Sequence, residues 1–389
     1  MPRTTATPRR KSAQPPTSPR QTVLVLQGGG ALGAYQGGVF ESLAAHGHEP
    51  DWVVGTSIGA INGAIIAGNP PERRLARLRE FWYLVGRDDP LSPLAANPFT
   101  AWMAPWLNAS ELWQTVSQGI PGFFEPRRDG LLDINQPVPT HDASFYDTAP
   151  LRHTLEQLVD FDYLNENHVR CTVCAVTVDS GELVTFDNTR RADPMGPEHI
   201  MASGALPPGF PPVVIKGKAY WDGGIYSNTP LDVVMDDATR HDTLCFMVDL
   251  WDPTEAEPRS ISAAMARLKD IQYASRIHDH LEDHRRMQNM RRAIQILASR
   301  LPAQDRNDRE LKQLAGLGCG STVNIVRLIM KALPGDDHTK DIDFARQRLA
   351  TRWTAGHADA KRALAHKSWL APAPGHVGMV IHELKQTPT

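Results

Sequence analysis

The chain has little cysteine, no long hydrophobic run and almost no charge imbalance. Four cysteines, at 171, 174, 245 and 319 of 389 residues, are too few and too scattered for a disulfide framework. Cys171 and Cys174 form C-x-x-C, yet they fall in the strand-like Arg170–Val178, where side chains three apart point to opposite faces. A shared metal or a redox pair is therefore not expected there, and reduced thiols in a cytosolic core are. No stretch approaches 18 consecutive apolar residues, so no transmembrane helix is expected. With 41 basic and 44 acidic side chains the formal net charge is −3, and no nucleic-acid partner is expected. Residues 1–20 carry five basic side chains and almost no large apolar ones, which predicts a disordered basic tail and leaves about −8 on the remainder. Arg9-Arg10-Lys11 is not followed by the 7–15-residue apolar stretch that a twin-arginine export signal needs.

What the chain does have is a complete G-x-S-x-G at Gly55, Ser57 and Gly59, set between an apolar run from Trp52 and a helix-like run to Gly68. Strand, sharp turn and helix place a serine at an exposed apex, which is what a serine nucleophile requires. Upstream, the strand-like Thr22–Leu26 runs into Gln27-Gly-Gly-Gly-Ala-Leu-Gly33, followed by a helical pattern from Ala34 to Gly47. A glycine turn at a helix N-terminus clusters backbone N–H groups around an anion, either a phosphate or the oxyanion of an acyl-transfer intermediate. Gly28, Gly30 and Gly33 also fit G-x-G-x-x-G. A dinucleotide fold needs an acid at the end of the second strand, however, and Asp51 precedes that strand.

Further on, Trp221-Asp222-Gly223-Gly224 follows a strand-like segment from Pro212 to Tyr220 and precedes Ser227-Asn-Thr-Pro230. The ordered set of glycine loop, G-x-S-x-G and D-G-G resembles the patatin-like phospholipase family, as does Ala202–Pro212 leading to the aspartate. The resemblance covers roughly residues 22 to 250. It implies Ser57 as nucleophile, Asp222 as proton acceptor, and the N–H groups of Gly28, Gly29, Gly30 and Ala31 as the oxyanion hole. Gly33, Gly55, Gly59, Gly223 and Gly224 are the remaining motif glycines. It also implies a three-layer α/β fold with a mainly parallel central sheet, and acyl-ester hydrolysis that needs no cofactor and no metal. Many members carry Arg or Lys where Leu32 stands, so preference for a phospholipid does not follow from the resemblance.

The residues by themselves also admit a Ser-His-Asp triad, with Asp249 as acid and His278, His280 or His284 as base, although those histidines lie in a charged helical stretch. The glycine loop is preceded by Gln27 rather than by the histidine of the lipase oxyanion motif. A catalytically idle binding scaffold is the reading from a different class, and intact Ser57 and Asp222 speak against it.

The organisation expected is a tail over 1–20, a hydrolase domain over 21–250 with an aromatic cap or lid inserted at 81–150, and a mostly helical region over 251–389. Apolar residues from Ile261 to Leu297 recur every three or four positions, predicting a face packed on the parent domain or in a homo-oligomer. Arg285, Arg286, Arg291 and Arg292 keep peripheral membrane contact open. The expected partners are a lipid or other acyl-ester substrate, and the expected location is cytoplasmic or peripheral to a membrane.

Overall fold

The computed structural model describes residues 21–88, 113–127, 135, 137–237, 241–274 and 277–383, without the side chains of 277 and 278. The expected tail, and Phe99, Trp102 and Trp106 of the aromatic segment, lie outside the described residues.

The strands are β1 (Gln21–Leu26), β2 (Trp52–Thr56), β3 (Glu125–Pro126), β4 (Tyr146–Asp147), β5 (Arg170–Thr177), β6 (Leu183–Asp187), β7 (Val213–Ile215), β8 (Lys218–Asp222), β9 (Thr243–Asp249), β10 (Val323–Ile329) and β11 (Met379–Glu383). All but β3 and β4, which pair with each other, join one sheet in the order β11-β10-β9-β1-β2-β5-β8-β7, with β6 also on β5. From β11 through β5 the pairing is parallel, while β6, β7 and β8 run antiparallel to their neighbours. The helices are α1 (Ala34–Ala45), α2 (Ile58–Ala67), α3 (Pro71–Leu84), α4 (Ala149–Leu158), α5 (Phe161–Asn165), α6 (Pro197–Ser203), α7 (Leu231–Met235), α8 (Ile261–Ala274), α9 (Ile277–Ser299), α10 (Arg309–Ala315) and α11 (Arg346–Ala365).

Strand alternation builds a core on each face of the sheet. In β1, Leu24 and Leu26 join the cluster beneath α1 and α2, whereas Val23 and Val25 join the opposite one with Leu231, Met235 and Leu281. This is the mainly parallel α/β architecture expected. The segment Pro212–Tyr220, expected to be one strand, is a hairpin of β7 and β8, because Lys216 and Gly217 turn the chain with φ of 50° and 79°.

Residues beyond 250 are not set apart from this sheet. β10 and β11 extend it on the β9 side, and α11 lies along α1 so closely that a Cβ at Gly38 or Gly356 would collide with the carbonyl of Trp353 or Tyr35. Tyr35 donates a hydrogen bond to Asp359 at 2.8 Å across that contact. Nor do aromatics at 81–82 begin a separate cap, since Phe81 and Trp82 end α3 inside the main core. Phe123 and Phe124 pack there too, against Phe210, while Trp113 is 71% exposed.

Candidate active site

β2 is buried along its whole length and delivers Ser57 directly into the N-terminus of α2. Ser57 has φ 56° and ψ −124°, a strained conformation for a residue with a side chain. Both glycines of the motif are there because backbone passes too close for anything else. A Cβ on Gly55 would meet the Gly59 carbonyl, and one on Gly59 would meet that of Leu26. The Ser57 N–H donates to Ser203 at the end of α6, to the carbonyl and the hydroxyl oxygen alike at 3.1 Å.

Strand β5 brings the aspartate to this turn. Cys174 is in register with Thr56, and the next residue, Ala175, is in register with Asp222 at the end of β8. Two loops separated by more than 160 residues of sequence therefore leave the sheet one residue apart. The Ser57 hydroxyl faces the Asp222 carboxylate and favours its charged form, and the same carboxylate accepts the Gly224 N–H at 2.7 Å. Asp222 is 2% exposed, and burial pushes its pKa up to about 6 against the opposing pull of those two donors. A carboxylate so placed can take up a proton near neutral pH.

The glycine loop makes its contacts unevenly. Gly28 N–H donates to the Asn228 carbonyl at 3.2 Å and Ala31 N–H to the Asp341 carbonyl at 2.8 Å. Among the described residues the N–H groups of Gly29 and Gly30 make no hydrogen bond, so of the four expected donors these two are uncommitted. Gly30 has φ 54°, and the Asp341 carbonyl fills the space a side chain would take.

Beneath the loop lies a buried amide chain that sequence reading missed. Gln27 accepts the N–H groups of Leu250 and Trp251 on its side-chain oxygen, the latter at 3.1 Å, and donates to the Tyr273 carbonyl at 3.3 Å. Its own carbonyl accepts from Gln36 at 2.7 Å. Asn62 donates to Gln36 at 2.9 Å and to the Gly33 carbonyl at 3.0 Å, while accepting from the Trp82 indole at 3.1 Å. Polar Gln36 and Asn62 inside two apolar helices were the only available signal.

Among the described residues the competing constellations are not assembled. Asp249 is fully buried, paired with Arg327 at 2.6 Å and hydrogen-bonded by Thr229. His284 and His280 face Asp232 at 2.6 and 3.7 Å, and the side chain of His278 lies outside the described residues. Asp51 accepts the Thr22 N–H just before β2, at the opposite end of that strand from where a ribose acid would stand. Cys171, Cys174 and Cys245 are buried free thiols whose pKa burial pushes up to about 12. No group of three or more metal-ligating side chains occurs among the described residues.

Two family models match the chain. One, patatin-like phospholipase, covers residues 24–235, and the other, described as patatin phospholipase, covers 271–376. The chain belongs to the patatin-like phospholipase family. Solved structures with a distant likeness include VipD from Legionella pneumophila, at 13% identity over 89% of this chain and 67% of that one, with a TM-score of 0.36. The type III effector ExoU matches at 13% identity over 90% and 54%, with a TM-score of 0.33. The complex of ExoU with SpcU from Pseudomonas aeruginosa matches at 16% over 77% and 59%, with a TM-score of 0.26. The chain thus spans between about half and two thirds of these chains. A search of curated proteins found no match.

Proposed function

We propose that the protein hydrolyses lipid acyl esters through an acyl-enzyme on Ser57, with Asp222 as its only proton acceptor. What supports this is the register that sets Ser57 and the buried Asp222 one residue apart, with burial raising the carboxylate's pKa to about 6. Ser57 Oγ attacks the ester carbonyl carbon while its proton passes to Asp222. The carbonyl oxygen becomes an oxyanion, met by the Gly29 and Gly30 N–H groups. Collapse breaks the bond to the leaving alkoxide, which takes the proton from Asp222 and departs as the alcohol. Water then attacks the acyl carbon, gives a proton to Asp222, and the acid leaves as Ser57 recovers that proton.

The test is labelling by a fluorophosphonate beside turnover of a soluble p-nitrophenyl ester. Label should reach Ser57 in the native chain and fail to react with Ser57→Ala. Activity retained in Ser57→Ala would remove the reading. Product analysis on phospholipids, short-chain esters and hydroxyalkanoate oligomers would then identify the alcohol released.

A lipid surface as the source of substrate is supported by α8, whose outward positions carry Ile261, Met265, Leu268 and Ile271. The apolar stripe, expected to pack on the parent domain or in a homo-oligomer, is not covered by the parent domain along α8, with Ile261 84% and Leu268 65% exposed. Exposed Ile225 and Tyr226, just past Asp222, line a cavity of about 270 Å³ with Gln272 and Tyr273 of α8, so the same side of the molecule holds both apolar groups. Sedimentation with phosphatidylcholine vesicles should carry down the native protein. Binding unchanged in Ile261→Asp/Leu268→Asp would exclude this face.

A further inference from the structure

We propose that the region beyond residue 250 completes the acyl-transfer site: α8 and the strap 336–345 clamp the glycine loop from outside, with Lys269 and Asp341 as positioning residues. The inference rests on the oxyanion role given above to Gly29 and Gly30. Three adjacent glycines cannot fix their own conformation, because they have no side chains to pack and the most backbone freedom to lose. Their shape has to come from groups around them.

Those groups come largely from the C-terminal region. The Trp251 indole donates to the Gly28 carbonyl at 2.9 Å, and its ring stacks on Tyr273 of α8 with centroids 4.8 Å apart. The Tyr273 carbonyl accepts from Gln27 at 3.3 Å and from Asn228 at 3.4 Å, and Asn228 also donates to the Gly28 carbonyl at 3.2 Å. On the other side of the loop the Asp341 carbonyl holds the Ala31 N–H at 2.8 Å. With these bonds made, the peptide planes leave two N–H groups uncommitted.

The strap is held by a crossed pair of charges. Lys269 contacts both carboxylate oxygens of Asp341 at 2.7 and 3.0 Å, and the next residue of α8, Asp270, meets the preceding strap residue, Lys340, at 2.6 Å. The second pair is buried, with Lys340 over the Trp251 ring at 5.2 Å. At its far end the strap is tied to the catalytic half, since the Phe344 carbonyl accepts the Arg87 N–H at 2.9 Å. Lys269 thus acts on the oxyanion donors through Asp341 and touches no substrate. The extra C-terminal region is a wall of the active site.

Lys269→Met and Asp341→Asn in the full chain, assayed on a soluble p-nitrophenyl ester, test this. Each should lower kcat at least about 10-fold with KM within about twofold, because donors misaimed at the oxyanion weaken the transition state more than the ground state. Labelling of Ser57 by a fluorophosphonate should slow in parallel. Lys269→Arg should keep activity, and the exchanged pair Lys269→Asp/Asp341→Lys should recover part of what either single change loses. Should Lys269→Met fail to fold, Asp341→Asn and Lys269→Arg still decide the matter. Native kcat in both charge-removing variants would overturn the clamp, and a raised kcat would overturn it in favour of a strap that blocks the loop. Ser57→Ala run alongside separates the failures: if it is inactive while the charge variants are native-like, the clamp alone falls, and if it is active, the oxyanion reading falls as well.

Discussion

The central sheet and helix α8 use the same residue types in opposite senses. In β1 and β9 every Val, Leu, Phe and Met is buried, and each strand feeds a core on both faces. In α8 the large aliphatic side chains face out, while Lys269 and Asp270 turn inward to the strap and Arg267 reaches the carbonyls of Asp252 and Pro253. The sheet is held by apolar burial, worth roughly 25 cal/mol per Å² and indifferent to direction. Apart from Tyr273 and Ala274 at its end, the helix is held by ion pairs and hydrogen bonds, which add little net energy but specify geometry. The sheet therefore supplies stability, and α8 supplies placement and an apolar face turned to the surroundings.

The largest break in that division comes at its catalytic apex. Ser57→Ala should cost on the order of 10⁶ in kcat, as loss of a serine nucleophile does elsewhere. Its circular dichroism should be unchanged, because the hydroxyl contributes to chemistry and not to the sheet.

Next in size is the sheet core itself. Leu24→Ala, at a site 1% exposed, should lower unfolding free energy by about 2–5 kcal/mol in urea titrations. A loss under about 1 kcal/mol would contradict burial as the main source of stability.

Asp222→Asn sets catalysis against stability at one residue. Activity should nearly vanish, since an amide cannot accept the hydroxyl proton, and native kcat/KM should fall with an apparent pKa about 6 as the carboxylate protonates. The stability effect has the other sign. A folded pKa raised above the unfolded value means that stability is fully present at pH below about 3.9 and is lost as pH rises through 6. Removing the ionisable group should therefore stabilise the fold by an amount that grows from pH 4 to pH 7, reaching about 3 kcal/mol. Urea unfolding at both pH values reads it, and a variant less stable than native at pH 7 would contradict the burial argument.

The smallest effect belongs to α8. Leu268→Asp should change unfolding free energy by no more than about 0.5 kcal/mol, in contrast to Leu24→Ala, because the side chain is already in water. A large loss of stability there would mean that another part of the chain or a second copy covers the face.

Local physics made much of this readable from the amino-acid order. Gly55, Ser57 and Gly59 could be assigned because a strand-turn-helix with a positive-φ apex is written within a dozen residues, and β1 stood out as the apolar run Thr22–Leu26, one residue short of the observed strand. Periodicity also located α8 and its stripe. It could not tell which side the stripe would face, because a 3.6-residue repeat marks a face and not its partner.

The tertiary structure alone decided what spans the chain. The order of residues supplied Ser57 and Asp222 as chemical types, but only the register of β5 sets them one residue apart where β2 and β8 end. The four-residue glycine loop was visible as a donor cluster. Which N–H groups stay open depended on partners from Asn228 and Asp341, the latter more than 300 residues away, and no local pattern encodes a hydrogen bond of that span. Sequence specified the reacting groups because their conformations are local, and the fold specified their alignment because alignment is made of long-range contacts.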